Sequence, residues 1–464
     1  MIEKIRISGK EVFPVIEGGK GIGISNGYTA GAFAKVGAVG TFSGANAEII
    51  DKNGKLIPLT FKSNKRLERY IERIEYSIQG SICQARIANE ISGGNGRIHM
   101  NLLWGMSGTE RTLHEILKNT KGILHGVTCG AGMPYKLGEI ASSYKVYYYP
   151  IISSMRAFKA LWTRAYKDFR NYLGGVVYED PWKAGGHNGL SNKENPKEPE
   201  KPYSRVVDLR NFMNSVGLHE TPIIMAGGVW NLDEYKDWFN NSDIGPIAFQ
   251  FGTRAMLTKE SPISEGWKRK LLTIKEGDVV LNKFSPTGFY SSAVNNNFIR
   301  QHINIVNRQI NYSETKNSIF NTPLKYNEDP DVYINNEDVK KVEEFKTSGN
   351  NIMMKTPDNT LIFVSSDFSK KIIRQQAECT GCLEACKFSS WSTNKETNYN
   401  TGIRPDPRSY CIIKTLGDVL YGGDIENELV FSGHNAFRFA KDPFYNNGFI
   451  PTIKELVDRI LSGK

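Results

Sequence analysis

Eight short β-rich runs alternate with helix-patterned segments over the first two thirds of the chain, and this rhythm constrains the fold more than any other feature. The runs are Phe13 to Glu17, Ala38 to Phe42, Ile98 to Trp104, Gly126 to Cys129, Val146 to Ile152, Gly174 to Tyr178, Pro222 to Met225 and Pro246 to Phe251. Strands buried on both faces read as near-continuous apolar runs, and parallel neighbours need long crossovers, usually helices. Helical spacing fills several gaps: Leu67 to Glu90, Glu110 to Lys118, Met155 to Tyr172, Ser204 to Ser215 and Leu232 to Phe239. The expectation is an α/β chain, a (β/α)8 TIM barrel with a C-terminal extension of mixed structure, whose functional groups gather at the C-terminal ends of the strands.

The βα rhythm weakens after about residue 310 of 464, and Tyr312 to Asp331 is polar and turn-rich. The division expected is 1–310 for the barrel and 311–464 for a Cys-containing extension. That extension ends in an amphipathic stretch, Thr452 to Leu461, suited to packing back on the barrel. Gly189 to Pro202 is polar and proline-rich, and reads equally as a lid over the strand ends or as a solvated insertion. No apolar run is long enough to span a membrane, and Met1 to Arg6 carries charges where a signal peptide is apolar, so the cytoplasm is the expected compartment. The net charge of +10 is scattered among acids rather than gathered in a block, which favours a small anionic ligand over nucleic acid or a membrane surface. The sequence leaves the oligomeric state open.

Three glycine-rich segments follow predicted strands. In Lys183-Ala184-Gly185-Gly186-His187-Asn188-Gly189, two residues without a β-carbon let backbone approach a flat or anionic ligand, and His187 can reach that ligand as base or hydrogen-bond donor. Pro222 to Gly228 and Ala248 to Arg254 each run from an apolar strand into a glycine turn. Gly227, Gly228, Gly252 and Thr253 therefore stand where barrels hold phosphate with backbone amides and a hydroxyl. By alternation along their strands, Asn101 and Gln250 point toward the same ligand. The run from Glu17 to Gly27 lacks dinucleotide-fingerprint spacing; Gly18 and Gly19 suit either contact with a planar ring or a simple turn. His99, His114, His125, His219, His302 and His434 lack such a setting and read as structural. Cys379, Cys382 and Cys386 form C-x2-C-x3-C, and Cys411 could add a fourth thiolate for a metal. Reduced, partly buried thiols are the preferred reading, because the spacing misses the usual zinc and iron–sulfur patterns.

Taken in series, these elements resemble the nitronate monooxygenase (2-nitropropane dioxygenase) family, FMN-dependent (β/α)8 barrels related to FMN-dependent enoyl-acyl carrier protein reductases. The matching segments are Pro14 to Gly19 with Gly37 to Thr41, Ala184 to His187, Ala226 to Val229, Gln250 to Arg254 and Ser285 to Gly288, in the family's order. The resemblance implies FMN as cofactor, with His187 as the catalytic histidine facing the flavin. Gly185 and Gly186 would lie along the cofactor, and Gly227, Gly228, Gly252 and Thr253 would bind its phosphate. It further implies oxidation of alkyl nitronates or nitroalkanes with O2 to carbonyl compounds and nitrite. The alternatives are NAD(P)H-dependent reduction of an enoyl thioester, or flavin binding without either turnover. The chain departs from the family at Tyr178-Glu179-Asp180-Pro181-Trp182, where a glutamine is usual and the spacing to His187 is one residue longer. Glu179 to Trp182 is thus where substrate choice is expected to be written.

Overall fold

The computed structural model describes residues 2–327 and 331–463; positions 328–330 of the polar stretch, and the two terminal residues, lie outside the described residues. Eight parallel strands close into a barrel in sequence order. They are β1 (Val15–Glu17), β2 (Val39–Ser43), β3 (Arg97–Leu103), β4 (Gly126–Gly130), β5 (Tyr147–Ile152), β6 (Val176–Glu179), β7 (Ile223–Ala226) and β8 (Ile247–Phe251). Each expected strand is present, shifted by no more than two residues at either end. β7 shows why the pattern is readable: Ile223, Ile224, Met225 and Ala226 are all buried, two facing the barrel interior and two the helices.

Ile16, Val39, Tyr149, Val177, Ile224 and Ala248 fill the interior, and the larger apolar layer lies between strands and outer helices. An antiparallel hairpin, Ile5–Ile7 with Lys10–Val12, closes the end of the barrel at which the strands begin. There Ser8 Oγ is shared between His99 Nε2 at 2.9 Å and Tyr149 OH at 2.8 Å. Burial lowers the His99 imidazole to about 3, so it is a neutral, satisfied core histidine.

The crossovers are helical. α1 (Gly27–Lys35) starts at a capping box between Asn26 and Thr29, and its Gly27 and Gly31 let α2 (Arg66–Ile91) lie against it; a β-carbon on Gly27 would meet Gln84 O at 2.5 Å. α3 (Thr109–Asn119), α4 (Leu137–Ser143), α5 (Met155–Arg164) and α6 (Pro202–Ser215) follow. The single helix expected over Met155 to Tyr172 is instead two pieces, because Ala165 leaves helical geometry and a 3-10 segment runs from Tyr166 to Tyr172. Tertiary packing overrides propensity there. Tyr166 turns inward, donates to Pro134 O at 2.7 Å and meets Tyr148 edge-on at 4.9 Å.

The last helix, α7 (Ile453–Ser462), buries Ile453, Leu456, Val457 and Ile460 in the barrel's own outer layer against α1. Its end reaches the segment after β7, since a β-carbon on Gly463 would lie 3.0 Å from Asp233 Cβ. α7 therefore fills the eighth crossover position, and residues 252–452 run between β8 and the helix that completes the barrel. This intervening chain includes a three-stranded sheet in which Ser291–Val294 pairs with both Gly186–His187 and Val279–Asn282. A five-stranded antiparallel sheet with its own apolar core begins at Gln309. No helix among the described residues is long and apolar enough to cross a membrane.

Candidate functional site

At the C-terminal ends of the strands lies a cavity of about 230 Å³. Its wall contains every residue singled out from the sequence: Gly18, Gly19, Asn101, Gly185, Gly186, His187, Gly227, Gly228, Gln250, Gly252 and Thr253. Several of the glycines have a steric reason. A β-carbon on Gly19 would stand 2.2 Å from Asn101 Cβ, and one on Gly18 3.1 Å from Gly252 Cα, so the turn after β1 closes on β3 and on the turn after β8 only with glycine. Gly227 and Gly228 have φ of +86° and +75°, a consecutive left-handed pair that turns backbone amides toward a common point. Among the described residues, the amides of Gly227, Gly228, Gly252 and Thr253 have no backbone acceptor. Such orphaned donors around a hollow suit an anionic group.

β6 ends at Glu179, and Asp180 turns the chain by accepting from the Trp182 and Lys183 amides at 2.9 and 3.1 Å. Lys183 then lies against Gly228, and the chain re-enters a sheet at Gly186–His187, opposite Ser292 and Ser291. This pairing fixes the histidine. His187 Nε2 is 2.6 Å from Ser285 Oγ, which is 2.9 Å from Thr287 Oγ1, and the Phe431 ring meets the imidazole edge-on at 5.2 Å. Burial lowers His187 to about 4, so the ring is neutral at pH 7.

Two buried carboxyls stand in contrasting states: Glu179 lines the cavity, and Glu17 lies behind Lys20, which lines it. Glu17 is fully buried and accepts from Thr29 Oγ1 at 2.9 Å, the Thr41 amide at 3.2 Å and Lys20 Nζ at 3.2 Å. Burial pushes Glu17 up and Lys20 down, and their pairing counters both shifts. Glu179 has no such cation. Burial, and secondarily the neighbouring Asp180, pushes its carboxyl up to about 8. Of the divergent segment Glu179 to Trp182, Glu179 alone lines the cavity; the Trp182 indole donates to Asn195 O at 3.0 Å and lies under Arg205. Residues 189–202 contribute nothing to the cavity wall.

The roof comes from the far end of the chain. Cys382, Leu383, Ile412, Leu416, Phe431, Gly433 and Asn435 all line the cavity. The Gly433 amide donates to Thr253 Oγ1 at 2.8 Å, Asn435 Nδ2 to Gly228 O at 2.5 Å, and the His434 amide to Lys183 O at 3.1 Å. Gly185, expected along a ligand, also admits the roof: its β-carbon would stand 2.6 Å from Gly433 N. Arg254 bolts the same region down. It stacks on Trp230 at 4.8 Å and pairs with Asp442 at 3.5 Å rather than facing the cavity. Sequence reasoning gave no role to Lys20, Lys183, Ser285 or the roof residues. Lys183 and Ser285 lie inside segments already marked by motif; nothing local marks Phe431 or Asn435.

The nitronate monooxygenase family model matches residues 109–368, more than half of the chain. The chain belongs to the nitronate monooxygenase family. It is accordingly an oxidoreductase, built on the barrel that this family and its structural neighbours share. Of solved structures, the enoyl reductase domain of MlnA from the macrolactin cluster of Bacillus amyloliquefaciens is similar over 97% of this chain and 93% of that one, at 12% identity and a TM-score of 0.53. FabK from Thermotoga maritima matches over 97% and 91%, at 14% identity and a TM-score of 0.48. A nitroalkane oxidase from Streptomyces ansochromogenes matches over 62% and 78%, at 15% identity and a TM-score of 0.45. No curated protein matches the chain.

Proposed function

We propose that this nitronate monooxygenase family member binds FMN in the cavity and oxidises alkyl nitronates, or the nitroalkanes that yield them, with O2 to carbonyl compounds and nitrite. The observation that carries the reading is a neutral histidine, held by one nitrogen, in the same cavity wall as orphaned backbone amides. The amides of Gly227, Gly228, Gly252 and Thr253 would hold the FMN phosphate, with the Lys183 ammonium adding charge beside Gly228. Gly18, Gly19, Gly186, Asn101 and Gln250 would flank the ring system. When bound, FMN supplies the redox chemistry, taking electrons from the substrate and passing them to oxygen.

The chain's own residues supply position and proton handling. In the tautomer with its proton on Nε2, the ring donates to Ser285 Oγ, and Nδ1 keeps its lone pair and can accept the α-proton of a nitroalkane. Phe431, Ile412 and Leu416 give the roof an apolar lining that excludes water and suits a short alkyl group. The test is to purify the protein, identify its extracted flavin, and follow oxygen uptake and nitrite release with a simple alkyl nitronate in the absence of pyridine nucleotide. FMN content with nitrite release is the expected result. A preparation that cannot be loaded with FMN, or NADH oxidation dependent on an enoyl thioester without nitronate turnover, overturns the reading.

A further inference from the structure

Four of the six cysteines gather at one place that the proposed chemistry does not use. Cys379, Cys382, Cys386 and Cys411 all line a small void next to the main cavity, inside an apolar cluster with Phe388 and Trp391. None is in a disulfide. The first three come from one tight loop, and Cys411 from the residue that caps the helix Ile412–Tyr421. Cys382, Ile412 and Ile413 line both the void and the main cavity, so the two share a wall.

The loop is held by its main chain, which leaves its thiols free to face the void. Arg69 Nε donates to Cys379 O at 3.3 Å, while Arg73 donates to Thr380 O at 3.2 Å and Gly381 O at 3.1 Å. From the other side, the Ser107 amide donates to Cys382 O at 3.2 Å. Both arginines are buried, Arg73 at 1% exposure, and among the described residues no carboxylate pairs with Arg73. A buried guanidinium without counter-charge is costly. Neutral thiols do not offset it. Thiolates bound to a metal centre of net negative charge would offset it. Cys379 Sγ also accepts from the Gly381 amide at 3.4 Å and Ser389 Oγ at 3.1 Å, the kind of bond that tunes a sulfur ligand.

We propose that Cys379, Cys382, Cys386 and Cys411 ligate an iron–sulfur cluster seated against the wall of the oxidoreductase cavity. Among the described residues, no three His, Cys, Asp or Glu side chains are placed to hold a single metal ion. A polynuclear cluster holds its four thiolates farther apart than one ion does, and all-thiolate sets suit zinc or iron–sulfur centres among the common metals. On ligation each thiol loses its proton to solvent and forms one iron–sulfur bond, with no change in the oxidation state of cysteine. Ferric iron, sulfide and a dithiol are the co-reactants: the dithiol gives two electrons and closes to its disulfide, so a four-iron core ends with two ferric and two ferrous ions.

The test is to purify the full chain without oxygen, treat it with ferric iron, sulfide and dithiothreitol under argon, and measure iron, acid-labile sulfide and zinc. Flavin is extracted and counted separately, so loss of the cluster and loss of the flavin reading are distinguishable. The expected result is iron and sulfide in near-equal amounts, about four each for a cubane, with visible absorption that survives flavin extraction and bleaches with dithionite. Cys386→Ser and Cys411→Ser lose that absorption at least tenfold, and Cys83→Ser retains it. Wild-type protein that takes up no iron after this treatment, or that carries one zinc ion instead, overturns the proposal whether or not the variants fold.

Discussion

The floor and the roof of the cavity are built on opposite principles. The floor consists of strand ends and the turns that directly follow them, so each lining residue is placed by a β-strand a few residues away. The roof consists of residues 382–436, placed by contacts with chain hundreds of positions earlier, such as Gly433 on Thr253 and Asn435 on Gly228. The floor offers backbone amides and polar side chains; the roof offers Phe431, Leu416, Ile412 and Leu383. A barrel can thus keep its floor while the segment that covers it varies.

Several variants would break or sharpen this contrast. The largest effect is expected on the floor: His187→Ala should lower nitronate turnover by about 10²- to 10⁴-fold, the usual worth of a general base, with bound flavin unchanged in absorbance. Loss of flavin alongside activity would make His187 a structural residue. Gly228→Val should come next, because φ of +75° disfavours any β-carbon and that carbon would lie 2.7 Å from Lys183 Cδ. Its checkable outcome is loss of FMN on gel filtration while the far-ultraviolet circular dichroism stays that of the parent.

Gly185→Ala attacks the seam between floor and roof. The added methyl group would stand 2.6 Å from Gly433 N, so the roof should lift, at a cost of about 1–3 kcal/mol for overpacking. Faster proteolysis within 422–436 at unchanged barrel melting would report it; an unchanged digest would show the seam to be slack.

Titration separates the two acid–base groups. His187 has a folded value of about 4 against an ordinary 6.5, so the unfolded chain takes up its proton first. Its contribution to stability is complete above 6.5 and is lost as pH falls toward 4. The acid limb of kcat/KM should accordingly lie near 4 rather than near 6.5. Glu179 is pushed the other way, to about 8. A smaller inflection near pH 8, in flavin affinity or kcat/KM, should vanish in Glu179→Gln, and its persistence would assign it elsewhere. The smallest effect is expected at the roof's polar edge, where Asn435→Ala removes one bond to Gly228 O and should weaken FMN binding by a few-fold, about 0.5–1.5 kcal/mol.

How much was legible follows from how local each determinant is. The eight strands were readable because both of their faces are buried, as Ile223 to Ala226 illustrates. The floor glycines were readable because each sits in a turn close to its own strand, whereas the setting of His187 depends on Ser291, Ser292 and Ser285 about a hundred residues later. The break after α5 was not, because Tyr166 leaves the helix for partners at Pro134 and Tyr148. Nor was the role of Glu179 among its neighbours, since Asp180 and Trp182 turn away to bond their own turn and the 189–202 loop.

The sequence by itself determined the barrel and the glycine turns at its strand ends, because periodicity and glycine turns act over a few residues and need no distant partner. Only the tertiary structure decided that the chain's last helix completes the barrel, that residues 382–436 roof the cavity, and that four thiols meet beside it. Those arrangements depend on which surfaces are left to bury after the strands have closed, and that is a property of the whole chain.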